Sequence, residues 1–163
     1  MRFGGNMKIL IIYGTKTGTT ASCAEKIREL LVEHEVTVHN LEKNPKIHLA
    51  DYDSVIIGTP LYMGQIRHKV NQFLIHNKKK LLEMKVHYFV TGLARGDEGV
   101  ALFKKQIPSE LFGQAVQIKQ VGGDVHVEKL NFLYRWIMKK VMSESKPELG
   151  ILEDEIKDLV LHI

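Results

Sequence analysis

Cysteine is almost missing from this 163-residue chain, and Cys23 on its own cannot form an internal disulfide, so a disulfide-stapled scaffold is excluded. Also missing is any apolar run near the roughly 20 residues that span a bilayer, and the N-terminus has no stretch apolar enough for a signal peptide. A cytoplasmic location is therefore expected. No repeat, low-complexity tract or linker divides the sequence. The eight histidines are scattered, with no metal-ligand spacing among them; only His68 and His126 fall near a candidate site mouth. What is present is ordinary for a globular protein. Hydrophobic residues make up 44% and charged residues 26%, which argues against a disordered or collagen-like chain. The net charge of +4 is mild, and no nucleic-acid partner is expected.

Residues 1–6 are Gly-rich and precede a second methionine, Met7; they read as a leader, an alternative start or a cloning remnant, with one domain over 7–163. The run 8–13, Lys-Ile-Leu-Ile-Ile-Tyr, has the β-branched, continuously apolar pattern of a strand covered on both faces. Cys23, Ala24, Ile27, Leu30 and Leu31 then recur at helical spacing. Further strands are predicted at 36–41, 53–57, 85–91 and 115–121, with helices around Val70, Phe73 and Leu74 and over 100–107. Strands alternating with helices at this spacing specify an α/β fold, a doubly wound parallel sheet with helices on both faces. After Gly122-Gly123 come two helical segments, about 129–142 and 152–162. The last 20 residues carry six acids and two lysines, whereas 119–143 carry five basic residues and two acids.

In such a sheet, ligands bind beyond the carboxyl ends of the strands where the strand order reverses. The first of these loops is Thr15-Lys16-Thr17-Gly18-Thr19-Thr20. Threonine hydroxyls and a glycine running into a helix N-terminus suit a phosphate, because free N–H groups and the positive dipole end point at it. Simple capping and turning is the alternative for the same residues. Three spaced glycines for a dinucleotide and Gly-Lys-Ser/Thr for a Walker loop are both lacking. A phospho-receiver would need acids where Tyr13-Gly14 and Gly58-Thr59 stand. A low-molecular-weight tyrosine phosphatase would need its cysteine leading the loop, whereas Cys23 lies within the helix and reads as core.

The Thr-x-Thr-Gly-x-Thr pattern of 15–20 resembles the phosphate loop of the flavodoxins, which implies FMN as cofactor and the strand order 2-1-3-4-5 over five strands. The resemblance extends to Thr59-Pro60-Leu61-Tyr62-Met63-Gly64, where Tyr62 is the implied stacking partner of the isoalloxazine and the backbone at Met63-Gly64 the implied contact for its N5 edge. An exposed loop aromatic is the other reading of Tyr62. On the opposite side Thr91-Gly92-Leu93-Ala94-Arg95-Gly96 would meet the ring through its backbone, with Arg95 either facing the N1–C2=O edge or solvated. Electron-carrying flavodoxins are usually acidic, and this chain is basic. It looks more like the menaquinone-dependent protoporphyrinogen dehydrogenases of flavodoxin fold, which have a basic, aromatic helical insert after strand five; Leu130 to Val141, with Tyr134-Arg135-Trp136, falls there.

Two functions follow from the resemblance. One is an FMN-dependent dehydrogenase passing electrons from an apolar substrate such as a porphyrinogen to a quinone, with peripheral membrane contact through 129–142. The other is an electron shuttle to a redox partner protein. Leu130, Leu133, Ile137 and Val141 recur at helical spacing, so this segment is either packed as core or, with Phe132, Trp136 or Met138 exposed beside Arg135, Lys139 and Lys140, a membrane-facing surface.

Overall fold

The computed structural model describes residues 5–15, 18–94, 96–123, 131–145 and 150–163. Lys16, Thr17 and Arg95 of the expected site, His126, and residues 129–130 of the expected helical segment 129–142 lie outside them. Strands β1 (Lys8–Tyr13), β2 (Glu35–Asn40), β3 (Ser54–Pro60), β4 (Lys85–Thr91) and β5 (Gln117–Gly123) form a parallel sheet in the order β2-β1-β3-β4-β5. The five-strand expectation is short by one. A two-residue strand β6 (Gly150–Ile151) runs antiparallel on the outer edge of β5, pairing Gly122 with Ile151 and Gly123 with Gly150. A two-residue strand carries no readable period in sequence, because alternation needs more positions than that to show.

The helices are α1 (Thr19–Leu30), α2 (His68–His76), α3 (Lys78–Leu81), α4 (Gly96–Lys104), α5 (Ser109–Gln114), α6 (Phe132–Ser145) and α7 (Glu153–Leu161), with a 3-10 turn at Leu49–Asp51. The helix expected over 100–107 starts earlier, at Gly96, where Asp97 and Glu98 sit in the first turn of α4 and favour its dipole. Side chains alternate across the sheet as its period of two demands. Leu10, Ile12, Val55, Ile57, Tyr88 and Val90 pack on one face under α2, α4 and α5, through Val70, Leu74, Phe103 and Leu111. Ile9, Ile11, Ile56, Phe89 and Val121 pack on the other, under Cys23, Ala24 and Ile27 of α1 and Ile156 and Leu159 of α7. Cys23 is core, as its spacing predicts, and burial pushes its thiol up to about 12.

The acids concentrated near the C-terminus pair α7 with its neighbours. Glu153 pairs with Lys26 of α1, while Glu155 and Asp158 both pair with Lys119 of β5. Inside the same seam, Gln117 donates to the Leu159 carbonyl at 2.7 Å and bonds the ring Nδ1 of His87 at 3.0 Å. His87 is only 1% exposed, and burial, aided by the charges of Lys85 and His162, pushes it down to about 4. An unfolded histidine titrates near 6.5, so between those values the unfolded chain binds the extra proton. Stability carried by neutral His87 is complete above pH 6.5 and is lost as pH falls toward 4, by about 3 kcal/mol. Urea titrations across this window should show that loss in the native protein and a flatter profile in His87→Gln; equal slopes would exclude His87 as its source.

Candidate functional site

Sheet order reverses between β1 and β3, and the loops after them leave to opposite faces, the arrangement that in a doubly wound sheet makes a binding crevice at the carboxyl ends of the strands. On the β1 side, the Gly18 N–H donates to the Thr15 hydroxyl at 2.9 Å, closing a tight turn. Gly18 has φ 102°, a left-handed conformation that glycine takes without steric cost, and there α1 begins. The N-cap of this 12-residue helix, Gly18, has no side chain with which to cap it, and the first turn holds no acid. Backbone donors and a positive dipole end without a competing carboxylate are the donor set that a phosphate needs. Thr19 and Thr20 are both buried, and the Thr20 hydroxyl bonds that of Thr91 at 2.9 Å, joining the start of α1 to the end of β4.

On the β3 side, Thr59 is buried; its hydroxyl accepts from the Arg67 N–H at 3.1 Å and donates to the Pro60 carbonyl. Tyr62 and Gln65 exchange backbone hydrogen bonds, both 2.9 Å, around Met63 and Gly64, whose φ values are 52° and 76°. Two left-handed central residues make this a two-residue hairpin of the primed type. Met63 is the one described non-glycine residue with positive φ, and it stands half exposed at the tip. Pro60, Tyr62 and Gly64 are partly exposed, and Leu61 is buried, its N–H bonded to the Thr91 carbonyl.

The loop after β4 lies beside this hairpin. A Cβ on Gly92 would come within 3.2 Å of the Leu61 carbonyl, and Gly92 itself has φ 158°. Leu93 and Ala94 are partly exposed and Gly96 is exposed. The described residues of the three predicted loops thus gather at one end of the sheet. His68 is exposed at the start of α2, close in sequence to the hairpin. Among the described residues no group of histidine, cysteine or acidic side chains could hold a metal ion.

Several residues that hold this site were not singled out from sequence. Gln120, on β5 and 8% exposed, donates to the carbonyls of Gly92 at 3.0 Å and Gly122 at 3.2 Å and accepts from the Gly96 N–H at 3.1 Å. Gln106 donates to the Gly64 carbonyl at 2.7 Å and accepts from the Ile66 N–H at 3.0 Å. Arg67 and Glu42 form a partly buried pair at 2.7 Å. Nothing local in the sequence marks either glutamine, because the partners of both lie far along the chain. A cavity of about 470 Å³ lies on the far side of the β4 loop, between α4 and α7, lined by Asp97, Lys119, Gln120 and Glu155 among others. It includes no residue of the β1 or β3 loops.

The chain matches the model of the flavodoxin domain over residues 10–149. It is 42% identical over 61 residues to the flavodoxin of Nostoc sp., a stretch covering 37% of this chain and 36% of that protein, so the match spans about a third of the relative's length. Oxidised flavodoxin 2 from Bacillus cereus is 26% identical, with a TM-score of 0.54 over 81% of this chain and 99% of that one. A flavoprotein in complex with FMN from Lactobacillus acidophilus is 19% identical, with a TM-score of 0.52 over 70% and 93%, a likeness of fold.

The backbone packing at the strand ends makes a direct prediction. A Cβ at Gly123 would lie 2.0 Å from the Gly92 carbonyl oxygen, so Gly123→Ala must push the β4 loop away. It should cost about 1–3 kcal/mol in urea unfolding, whereas Gly113→Ala, where a Cβ meets open space, should not destabilise. Equal midpoints for Gly123→Ala and the native protein would contradict this packing.

Proposed function

This chain belongs to the flavodoxin-domain family, and from that membership and the strand-end crevice we propose that it is a redox protein whose cofactor is FMN. The observation that carries the reading is the left-handed Gly18 turn delivering an acid-free helix N-terminus to the point where the sheet order reverses. Thr15, Lys16, Thr17, Gly18, Thr19 and Thr20 are the residues proposed to hold the phosphate. The hairpin from Thr59 to Gly64 and the loop from Thr91 to Gly96 are proposed to flank the ring, with Tyr62 stacking on it. Bound there, FMN supplies the electron-transfer chemistry. The protein's part is to orient it: backbone donors neutralise the phosphate, Met63 and Gly64 present hairpin backbone, and the Thr20–Thr91 bond keeps the two halves of the crevice together.

FMN should bind far more tightly than riboflavin, which lacks the phosphate and so forfeits charge-assisted bonds worth about 1.5–3 kcal/mol each. Gly18→Val, unable to take φ 102° without strain, should weaken FMN much more than riboflavin. Titration followed by flavin fluorescence measures both; equal affinity for the two flavins would overturn the assignment.

Helix α6 favours the dehydrogenase reading. Phe132, Leu133 and Trp136 are 85%, 62% and 60% exposed, beside exposed Lys139 and Lys140, with the Lys140 ammonium 6.0 Å from the Trp136 ring centre. No helix among the described residues is long and apolar enough to cross a membrane, so contact of this kind is peripheral. Exposed aromatics with cations alongside suit an anionic lipid surface, and a lipid-soluble quinone would be met there. The alternative is a shuttle delivering electrons to a redox partner protein. Co-sedimentation with phosphatidylglycerol vesicles should decline with salt and fall about tenfold or more in the Lys139→Glu/Lys140→Glu variant. If the native protein ignores such vesicles at low salt, the shuttle reading stands in its place.

A further inference from the structure

Two buried or half-buried glutamines hold the two loops of the crevice, and both attach to the same helix. At the N-terminal end of α4, Gln120 bonds the Gly96 N–H and, with its amide nitrogen, the carbonyls of Gly92 and Gly122. It thereby grips the β4 loop at both of its ends. Just beyond the C-terminal end of α4, Gln106 bonds the Gly64 carbonyl, the Ile66 N–H and, back onto the helix, the Leu102 carbonyl. It grips the hairpin at its tip and its exit.

Between these two clamps α4 is seated as a rigid piece. Gly99 is buried so closely that a Cβ there would come 3.2 Å from the Gln120 side chain and 3.3 Å from the Ala94 carbonyl. Phe103 is fully buried, its ring 5.2 Å from that of Tyr88 and tilted at 50° to it.

We propose that α4, with Gln120 and Gln106, is a tie-bar that couples the β4 loop to the β3 hairpin, so that the two sides of the crevice are positioned together and not independently. Gln120 and Gln106 are positioning residues: each acts through the loop it grips. The proposal rests on the FMN reading only for its consequence, that both walls of the flavin site shift as one.

Amide hydrogen exchange on the protein without added flavin tests the coupling. In Gln120→Leu, exchange should quicken at Gly96, whose N–H loses its acceptor, at Gly92, whose carbonyl loses a donor while its N–H keeps the Gly122 carbonyl, and also at Tyr62 and Gln65 in the hairpin, by about tenfold. In Gln106→Leu the reverse should hold, with Gly92 and Gly96 quickening although Gln106 touches neither. Ile11 in the central strand is the control for global loosening. Gln120→Glu keeps an acceptor for the Gly96 N–H while losing both donated bonds, and serves should the leucine variant not fold. Exchange that quickens only in the loop each glutamine grips would overturn the tie-bar. The midpoint potential of bound FMN is the second readout: Gln106→Leu and Gln120→Leu should shift it in the same direction, with a double variant less than additive. A native protein that binds no FMN would refute the proposed cofactor while leaving the exchange result to decide the coupling.

Discussion

The close approach of backbones at the carboxyl end of the sheet is the constraint on which the rest depends. The Gly92 carbonyl occupies the space a side chain at position 123 would need, and Gly150 does the same at position 122. A register shift in the β4–β5 ladder between Val90 and Thr91 aligns Gly122 opposite Thr91, and the Gly92 N–H then bonds the Gly122 carbonyl. Because those glycines let three chain segments touch, the β4 loop can be gripped by a side chain from β5, and β6 can add its two residues to the edge. With β-carbons at those positions, the loop would stand off the sheet and the crevice would lose a wall.

Below that end the molecule is conventional in its physics. Central strands bury apolar side chains on both faces, and α1 and α7 cover one layer while α2, α4 and α5 cover the other. The C-terminal acids have a local purpose, pinning α7 to Lys26 and Lys119. Exposed pairs of this kind contribute little each, and the seating of α7 rests chiefly on Ile156 and Leu159. Apolar surface is left uncovered at α6, where Phe132, Leu133 and Trp136 face outward.

The crevice gains its character from what is absent as much as from what is present. The α1 N-terminus has no carboxylate in its first turn, so its dipole is available to an anionic ligand. Three threonines expected near the ligand, Thr20, Thr59 and Thr91, have hydroxyls bonded within the protein, two of them to each other. Their hydroxyls tie the ends of β3 and β4 to α1 and α2, which gives the walls definite positions before any ligand arrives.

Periodicity alone determined the layered α/β architecture, because a continuous β-branched run and an i, i+4, i+7 stripe are local signals of burial on two faces or one. The threonine-rich loop with its glycine was legible for the same reason: a left-handed residue before a helix leaves a mark in the residue types themselves. The destination of the α6 stripe was not legible, since an amphipathic pattern reads alike whether its apolar side meets a sheet or solvent, and only the tertiary structure leaves Trp136 exposed. Nor were Gln106 and Gln120, whose partners lie 42 and 28 residues away in the chain. A glutamine carries the same side chain on a solvated surface as in a clamp; which it becomes is decided by the backbone that folding brings within 3 Å of it.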